Sequence, residues 1–344
     1  MKLSVITPTS GNVLRVKDTI NSFLTQRLDD YNIEINIIEN SKKENQSSEL
    51  KNYFKSLPKC FKYSLDERPG SSEVRNRAVQ NTDGDVVAFI DDDVKISDTW
   101  IKTVYQSFEE RKNLTFLGGT NLPNFTSVVP SWFHEFVKKT KNHWECHFLS
   151  LLEFNQDIEN IDPKYIWGLN SAIVRKKFIE LGGYNPDRHA YNLSEKKILR
   201  WAGDGDMGLA KQIKKYNLIS MYKKKMLVYH LCNAERLTEK YFLDRSYMEG
   251  IINSYTLIRN SKKDINYTYK KNLIRFSLKM IAKKIINQTK FFKPNMVREL
   301  KKNILNAYIE GFKFHQKEAL EDKKLINWIK SENYWNRDIR NEIR

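Results

Sequence analysis

Five consecutive apolar residues, Val86-Val87-Ala88-Phe89-Ile90, run directly into three aspartates, Asp91-Asp92-Asp93. A short, fully apolar run of this length reads as a buried strand. Three adjacent carboxylates at its end repel one another and are costly to desolvate. A hard divalent cation with oxygen ligands relieves that cost. On an extended segment, alternation points Asp91 and Asp93 the same way, so those two can share one ligand. The plainer alternative is a set of loop carboxylates capping the helix that follows.

The flanking sequence repeats a strand–helix alternation. Leu3 to Thr7 is a strand stopped by Pro8, and residues 13–26 place Val13, Val16, Ile20, Phe23 and Leu24 at helical spacing. Ile33–Ile38 is a second strand, 71–81 a helix capped by Ser, and Ser97-Asp98 caps a helix through Trp100, Ile101, Val104 and Phe108. Leu114–Leu117 is a strand closed by Gly118-Gly119. This order predicts a parallel α/β sheet, whose ligands bind beyond the carboxyl ends of the strands. The polar residues to inspect are therefore Thr7-Pro8-Thr9, Glu39-Asn40 and the aspartate triplet. Residues 121–163 are aromatic-rich and irregular. Beyond them the pattern predicts a helix at 175–181, another from Gly205 to Asn217, and strands at 218–222 and 226–229, the second ending at His230. From about 236 the chain reads as helices with Lys-rich faces, which divides it into 1–235 and 236–344.

A second acidic cluster, Ala202-Gly203-Asp204-Gly205-Asp206, opens a helical pattern. Carboxylates there can cap a helix, but glycines on both sides of Asp204 suggest close approach of a ligand. His230, at the end of a strand, is either a structural histidine or a metal ligand. Arg75 and Asn76 follow Pro69-Gly70-Ser71, a turn before a helix of the kind that suits a phosphate.

The net charge is +17, with residues 241–344 holding 23 Lys+Arg against 11 Asp+Glu. Such an excess suits an anionic partner: a membrane surface, a nucleic acid or a charged glycan. Residues 270–286 read as an amphipathic helix with Lys271, Arg275, Lys279 and Lys283 in one stripe. That helix would lie on an anionic membrane or pack on the rest of the protein with its lysines in water. Cys60, Cys146 and Cys232 are widely spaced and odd in number, as expected of free thiols in a reducing compartment. With no apolar run of transmembrane length, the expectation is a cytoplasmic protein, with the option of a peripheral position on the inner face of the cell membrane.

Taken in order, these segments resemble the family 2 inverting glycosyltransferases of GT-A fold. The resemblance rests on VITPTSGNVLRVKDTINSFLTQ (5–26), IIENS (37–41), RPGSSEVRNRAV (68–79), VVAFIDDDVKISDTWI (86–101), WGLNSAIVRKKFIELGGYNP (167–186), AGDGDMGLAKQIKKYN (202–217), VYH (228–230) and the arginine segment 230–250. It covers roughly residues 2–250. It implies a nucleotide-sugar donor, most often of uracil, held by Pro8, Thr9, Glu39, Arg75, Asp91 and Asp92. It implies Mn2+ or Mg2+ at Asp93 with His230, and an acceptor side at Trp167 and Asn170. The family's Glu-Asp pair falls on Gly203-Asp204, so Asp204 is the implied base and Asp206 the alternative. The usual role of relatives is transfer to a glycan or lipid-linked acceptor in surface polysaccharide synthesis, with a protein side chain as the other option. A nucleotidyltransferase would need a basic residue in the TPTSGN loop, which has none. A nucleic-acid binder would meet repulsion at the acidic triplet, and no binding motif is present. Intact Asp91, Asp93 and Asp204 argue against a silent member of the fold.

Overall fold

The computed structural model describes residues 1–40, 44–68, 70–187, 199–261 and 295–335; the amphipathic stretch at 270–286 lies outside them. Strands β1 (Leu3–Thr9), β2 (Ile33–Glu39) and β4 (Val86–Ile90) are buried at almost every residue, as apolar runs in a helix-covered sheet must be. With β3 (Phe61–Leu65) they pair in the order β3-β2-β1-β4, all parallel. Helices α1 (Val13–Leu24), α2 (Glu44–Phe54) and α3 (Ser71–Gln80) connect them in sequence. Val16, Ile20 and Phe23 form the buried stripe of α1, and Asn12 caps it by accepting a bond from the Arg15 amide.

Beyond β4 the sheet becomes mixed. Strand β11 (Asn170–Val174) runs antiparallel to both β4 and β6 (Leu114–Phe125). The short strands β7 (Lys138–Lys139), β8 (His143–Cys146) and β9 (Leu151–Phe154) add an antiparallel flap at the far edge. Strand β12 (Ile219–Cys232) lies parallel to β6 and also pairs with β5 (Val94–Ile96) and β10 (Ile158–Glu159). The two strands expected at 218–222 and 226–229 are thus one, with a register shift between Lys223 and Leu227. Strand β6 likewise does not stop at Gly118-Gly119. Those glycines sit inside it because the Met226 backbone oxygen comes within 1.8 Å of where a Gly119 side chain would begin.

Two expected serine caps are replaced. The residue before α3 is Gly70, at φ 106°, and the Ser71 hydroxyl reaches Asp187 instead. Helix α4 (Trp100–Glu110) starts after Thr99, whose hydroxyl donates to the Lys225 carbonyl and so ties the helix start to β12.

Helices α5 (Arg175–Glu180) and α6 (Gly205–Lys215) flank the sheet. The C-terminal part contributes α7 (Glu239–Asn260), α8 (Asn295–Glu321) and α9 (Lys323–Ile329). Contacts advance together along α7 and α8, from Ser246 with Ile304 to Ser254 with His315, so the two run parallel. Trp201, Tyr255, Trp328 and Tyr334 share an apolar cluster where α7 and α9 meet. No described helix is long and apolar enough to cross a membrane.

Candidate active site

The carboxyl ends of β1, β2 and β4 bring Thr9, Glu39 and the aspartate triplet to one edge of the sheet. Pairing of β5 with β12 sets His230 opposite Val94, and the Leu231 amide bonds the Asp93 carbonyl at 2.9 Å. His230 Nε2 thereby lies 3.4 Å from Asp93 Oδ1. The other ring nitrogen donates to the Leu149 carbonyl at 2.8 Å, which leaves the Nε2 lone pair to accept from Arg236. Arg236, on a short 3-10 turn (Ala234–Leu237), bonds Asp93 Oδ2 and brings its Nη1 within 2.6 Å of His230 Nε2. Arg15 adds a second cation 3.8 Å from Asp93. Asp93 Oδ1 is buried with no hydrogen-bond donor.

The triplet is a turn, not a continued strand. The three carboxylates therefore take separate partners, where strand alternation would have given Asp91 and Asp93 one shared ligand. Asp91 pairs with Arg75 of α3. Asp92 accepts a 2.5 Å bond from Thr9, and Thr19 of α1 donates to the backbone carbonyls of Asp92 and Val94. Burial, reinforced by the Asp93 charge, pushes Asp92 up to about 6. Burial raises Asp91 as well. Burial also opposes the charge of Asp93, but His230 and Arg236 outweigh it and hold that carboxyl well below the usual range.

Toward the β2–β3 edge, Pro8 is buried in β1 opposite Ile38, and Glu39 accepts a 2.7 Å bond from the Tyr63 hydroxyl. Glu39 is fully buried. Beside it lies Asp66, bonded by both Arg68 and Arg77. The strand-end rule covers Asp66, which follows β3 directly, although the sequence reading does not single it out. Arg75 was expected at a diphosphate, and the structure pairs it with Asp91 in the neighbouring cavity.

That cavity, of about 490 Å³, is lined by Arg75, Asp91, Trp167, Tyr184, Asp204 and Asp206 among others. The two acids of the Gly203–Asp206 cluster differ. Asp204 accepts from Asn185 at 2.7 Å, Lys211 at 2.7 Å and Thr256 at 2.8 Å. Asp206 is half-buried, accepts from the Gly168 amide at 2.8 Å, and is raised to about 6 by burial. The glycines answer to packing rather than to a ligand. A Cβ on Gly203 would lie 2.6 Å from the Pro186 carbonyl, and Gly205 has φ 46° at the start of α6. Asn170 lies off the cavity. Its side chain bonds Trp100, Thr120, Asn121 and Met226 and knits β11 into the sheet. Asn76 is structural too, clasping the backbone N–H and C=O of Tyr184.

The sequence model of the family described as Glycosyl transferase family 2 matches residues 4–181, just over half of the chain. The chain belongs to glycosyl transferase family 2. Over 189 residues this glycosyltransferase is 26% identical to a glucosyl-dolichyl phosphate glucuronosyltransferase of Haloferax volcanii, covering 54% of this chain and 56% of the relative. It therefore spans little more than half of that relative's length. Among solved structures, a mannosyltransferase from Pyrobaculum calidifontis in complex with GDP-Man and Mn2+ matches with a TM-score of 0.54 at 10% identity, over 93% of this chain and 86% of that one. Likeness at that identity concerns the fold, which is GT-A: a mixed central sheet, flanking helices and a helical C-terminal region.

Proposed function

We propose that this glycosyltransferase moves a sugar from a nucleotide-sugar, a UDP-sugar by family resemblance, to a hydroxyl of a glycan or lipid-linked acceptor, with inversion and with the help of a divalent metal, in surface polysaccharide synthesis. The observation that carries the reading is Asp206. It is a half-buried carboxyl, raised to about 6 by burial, in the same cavity as the donor-side Asp91. A general base works best when its pKa lies near the operating pH.

Asp204 was the base implied by alignment, and its geometry favours a different role. Three donors already hold its carboxylate, so it fixes the start of α6 against α7 and thereby positions Asp206. Asp206 takes the proton of the acceptor hydroxyl as the bond to the anomeric carbon forms. Asp91, oriented by Arg75, holds the sugar or ribose. Glu39 and its neighbours receive the nucleobase.

The residues at Asp93 fit a divalent cation. Asp93 Oδ1, a buried carboxylate oxygen without a donor, is a ligand that Mn2+ or Mg2+ accepts; His230 Nε2, which now accepts from Arg236, would join it only with that guanidinium moved aside. When bound, the ion neutralises charge growing on the departing diphosphate. Arg236 and Arg15 place fixed positive charge at the same point. The Pyrobaculum protein, of the same fold, was solved with GDP-Man and Mn2+, and the Haloferax relative is named a glucosyl-dolichyl phosphate glucuronosyltransferase; the first favours a nucleotide-sugar and a divalent metal, without favouring uracil, and the second a lipid-linked acceptor. The excess of basic residues in the C-terminal part favours a peripheral position on an anionic membrane. A screen of nucleotide-sugars for release of nucleoside diphosphate, with Mn2+ and with EDTA, tests the proposal. Failure of every donor to turn over would reject it.

A further inference from the structure

The edge flap β7–β9 carries a second group of chemistry-bearing residues that the reaction above does not use. Glu145 of β8 is only 2% exposed, yet it lines the same cavity as Asp206. Its Oε1 accepts a 2.7 Å bond from Lys138 of β7. Its Oε2 is buried with no hydrogen-bond donor; His147 Nε2 comes within 3.1 Å, but without hydrogen-bond alignment. Burial opposes the charge on Glu145, but Lys138 and the flanking histidines outweigh it, so the carboxyl titrates below its usual range and stays ionised. The Oε2 lone pairs take no hydrogen bond from the described residues, so a hydroxyl of a ligand can supply one.

The surroundings say which ligand. The His147 ring lies 5.2 Å from that of Trp167, whose neighbour Gly168 bonds Asp206. A continuous path of contacts therefore leads from Glu145 through an aromatic surface to the base. Among the described residues, six carboxylates line the cavity against four lysine or arginine side chains. At least three of those four cations, Arg75, Lys138 and Lys164, are already paired with carboxylates. A phosphate group would meet net repulsion there, whereas a sugar ring offers hydroxyl donors and an apolar face.

Building on the functional reading above, we propose that Glu145 is a specificity-determining residue: it accepts a hydrogen bond from a hydroxyl of an acceptor sugar ring seated over Trp167 and His147, so the group that receives the transferred sugar is a saccharide and not a lipid phosphate.

The test uses full-length protein with Mn2+ and the nucleotide-sugar that turns over fastest in the donor screen. Acceptor probes are a panel of methyl hexosides and, separately, farnesyl phosphate. At least one hexoside is expected to yield a disaccharide, and farnesyl phosphate none. Glu145→Gln should raise the KM for that hexoside about 10- to 100-fold, the loss of one hydrogen bond to a charged group, while raising the donor KM less than about threefold. If Glu145→Gln fails to fold, Glu145→Asp keeps the charge, shortens the reach, and is expected to raise the same KM. Transfer to farnesyl phosphate alone, or an unchanged hexoside KM in the folded variant, overturns this proposal and leaves the functional reading intact. Wild-type protein that consumes no nucleotide-sugar overturns that reading and this proposal with it.

Discussion

Asp204 and Asp206 lie two residues apart in opposite surroundings, and that contrast organises the chemistry at the residue scale. Replacing Asp204 by Asn removes an acceptor from Lys211 and Thr256, which should cost about 1–3 kcal/mol of stability, read by urea unfolding. Replacing Asp206 by Asn should leave stability at pH 7.5 unchanged or higher. The folded carboxyl titrates near 6, above its unfolded value, so ionisation opposes folding as the pH rises through about 4 to 6, and the amide escapes that. At the proposed metal position, Asp93→Ala should abolish the rise in melting temperature expected of the wild type with Mn2+ plus a nucleoside diphosphate. An equal rise in the variant would move the metal elsewhere. The sequence marked Asp91, Asp93, Asp206 and His230 because each sits beside a strand end or helix start where polar residues stand out. It marks Arg236 and Tyr184 only as members of the segments 230–250 and 167–186, without a role, and Glu145 not at all. Their importance depends on the β5–β12 register, on the clasp of Asn76, and on the flap, which are long-range and leave no local signal.

Elements whose residues repeat with a clear period were the readable ones. Strand β4 is a continuous apolar run, β1 and β2 are rich in Ile, Val and Leu, and α1 and α4 carry full apolar stripes. The flap was unreadable because strands of two to four residues establish no alternation. The serine caps were misjudged because their hydroxyls serve tertiary partners. Close packing of α7 on α8 was equally hidden. A Cβ on Gly250 would lie 2.1 Å from the Tyr308 carbonyl, and one on Gly311 2.0 Å from the Tyr247 carbonyl. Backbone cannot yield as a side chain can, so Gly250→Ala should destabilise by about 1–3 kcal/mol, measured as a shift in thermal unfolding. Because α7 also bears Thr256, which bonds Asp204, the same variant should lower turnover more than donor affinity.

For the whole molecule, the charge of +17 is concentrated after residue 240, yet α7, α8 and α9 also bury large apolar side chains against one another and against Trp201. Truncation after residue 260 would strip α8 and α9 from that cluster, so the truncated chain should be insoluble or unfolded by circular dichroism. Membrane docking is therefore better read with the intact protein. Full-length chain should co-sediment with anionic vesicles and release as salt rises from about 0.05 to 0.5 M, since charge attraction is screened within a Debye length. Binding that ignores lipid charge would contradict a basic docking surface. The proposed reaction is a metal-assisted transfer whose base is Asp206. Its most direct test is the pH dependence of nucleoside diphosphate release, with Mn2+ present, for wild type, Asp204→Asn and Asp206→Asn. Wild-type kcat/KM should climb through about pH 6 to a plateau, and Asp206→Asn should fall about 10²- to 10⁴-fold across the range. An Asp206→Asn enzyme with wild-type turnover, beside an inactive but folded Asp204→Asn, would contradict it.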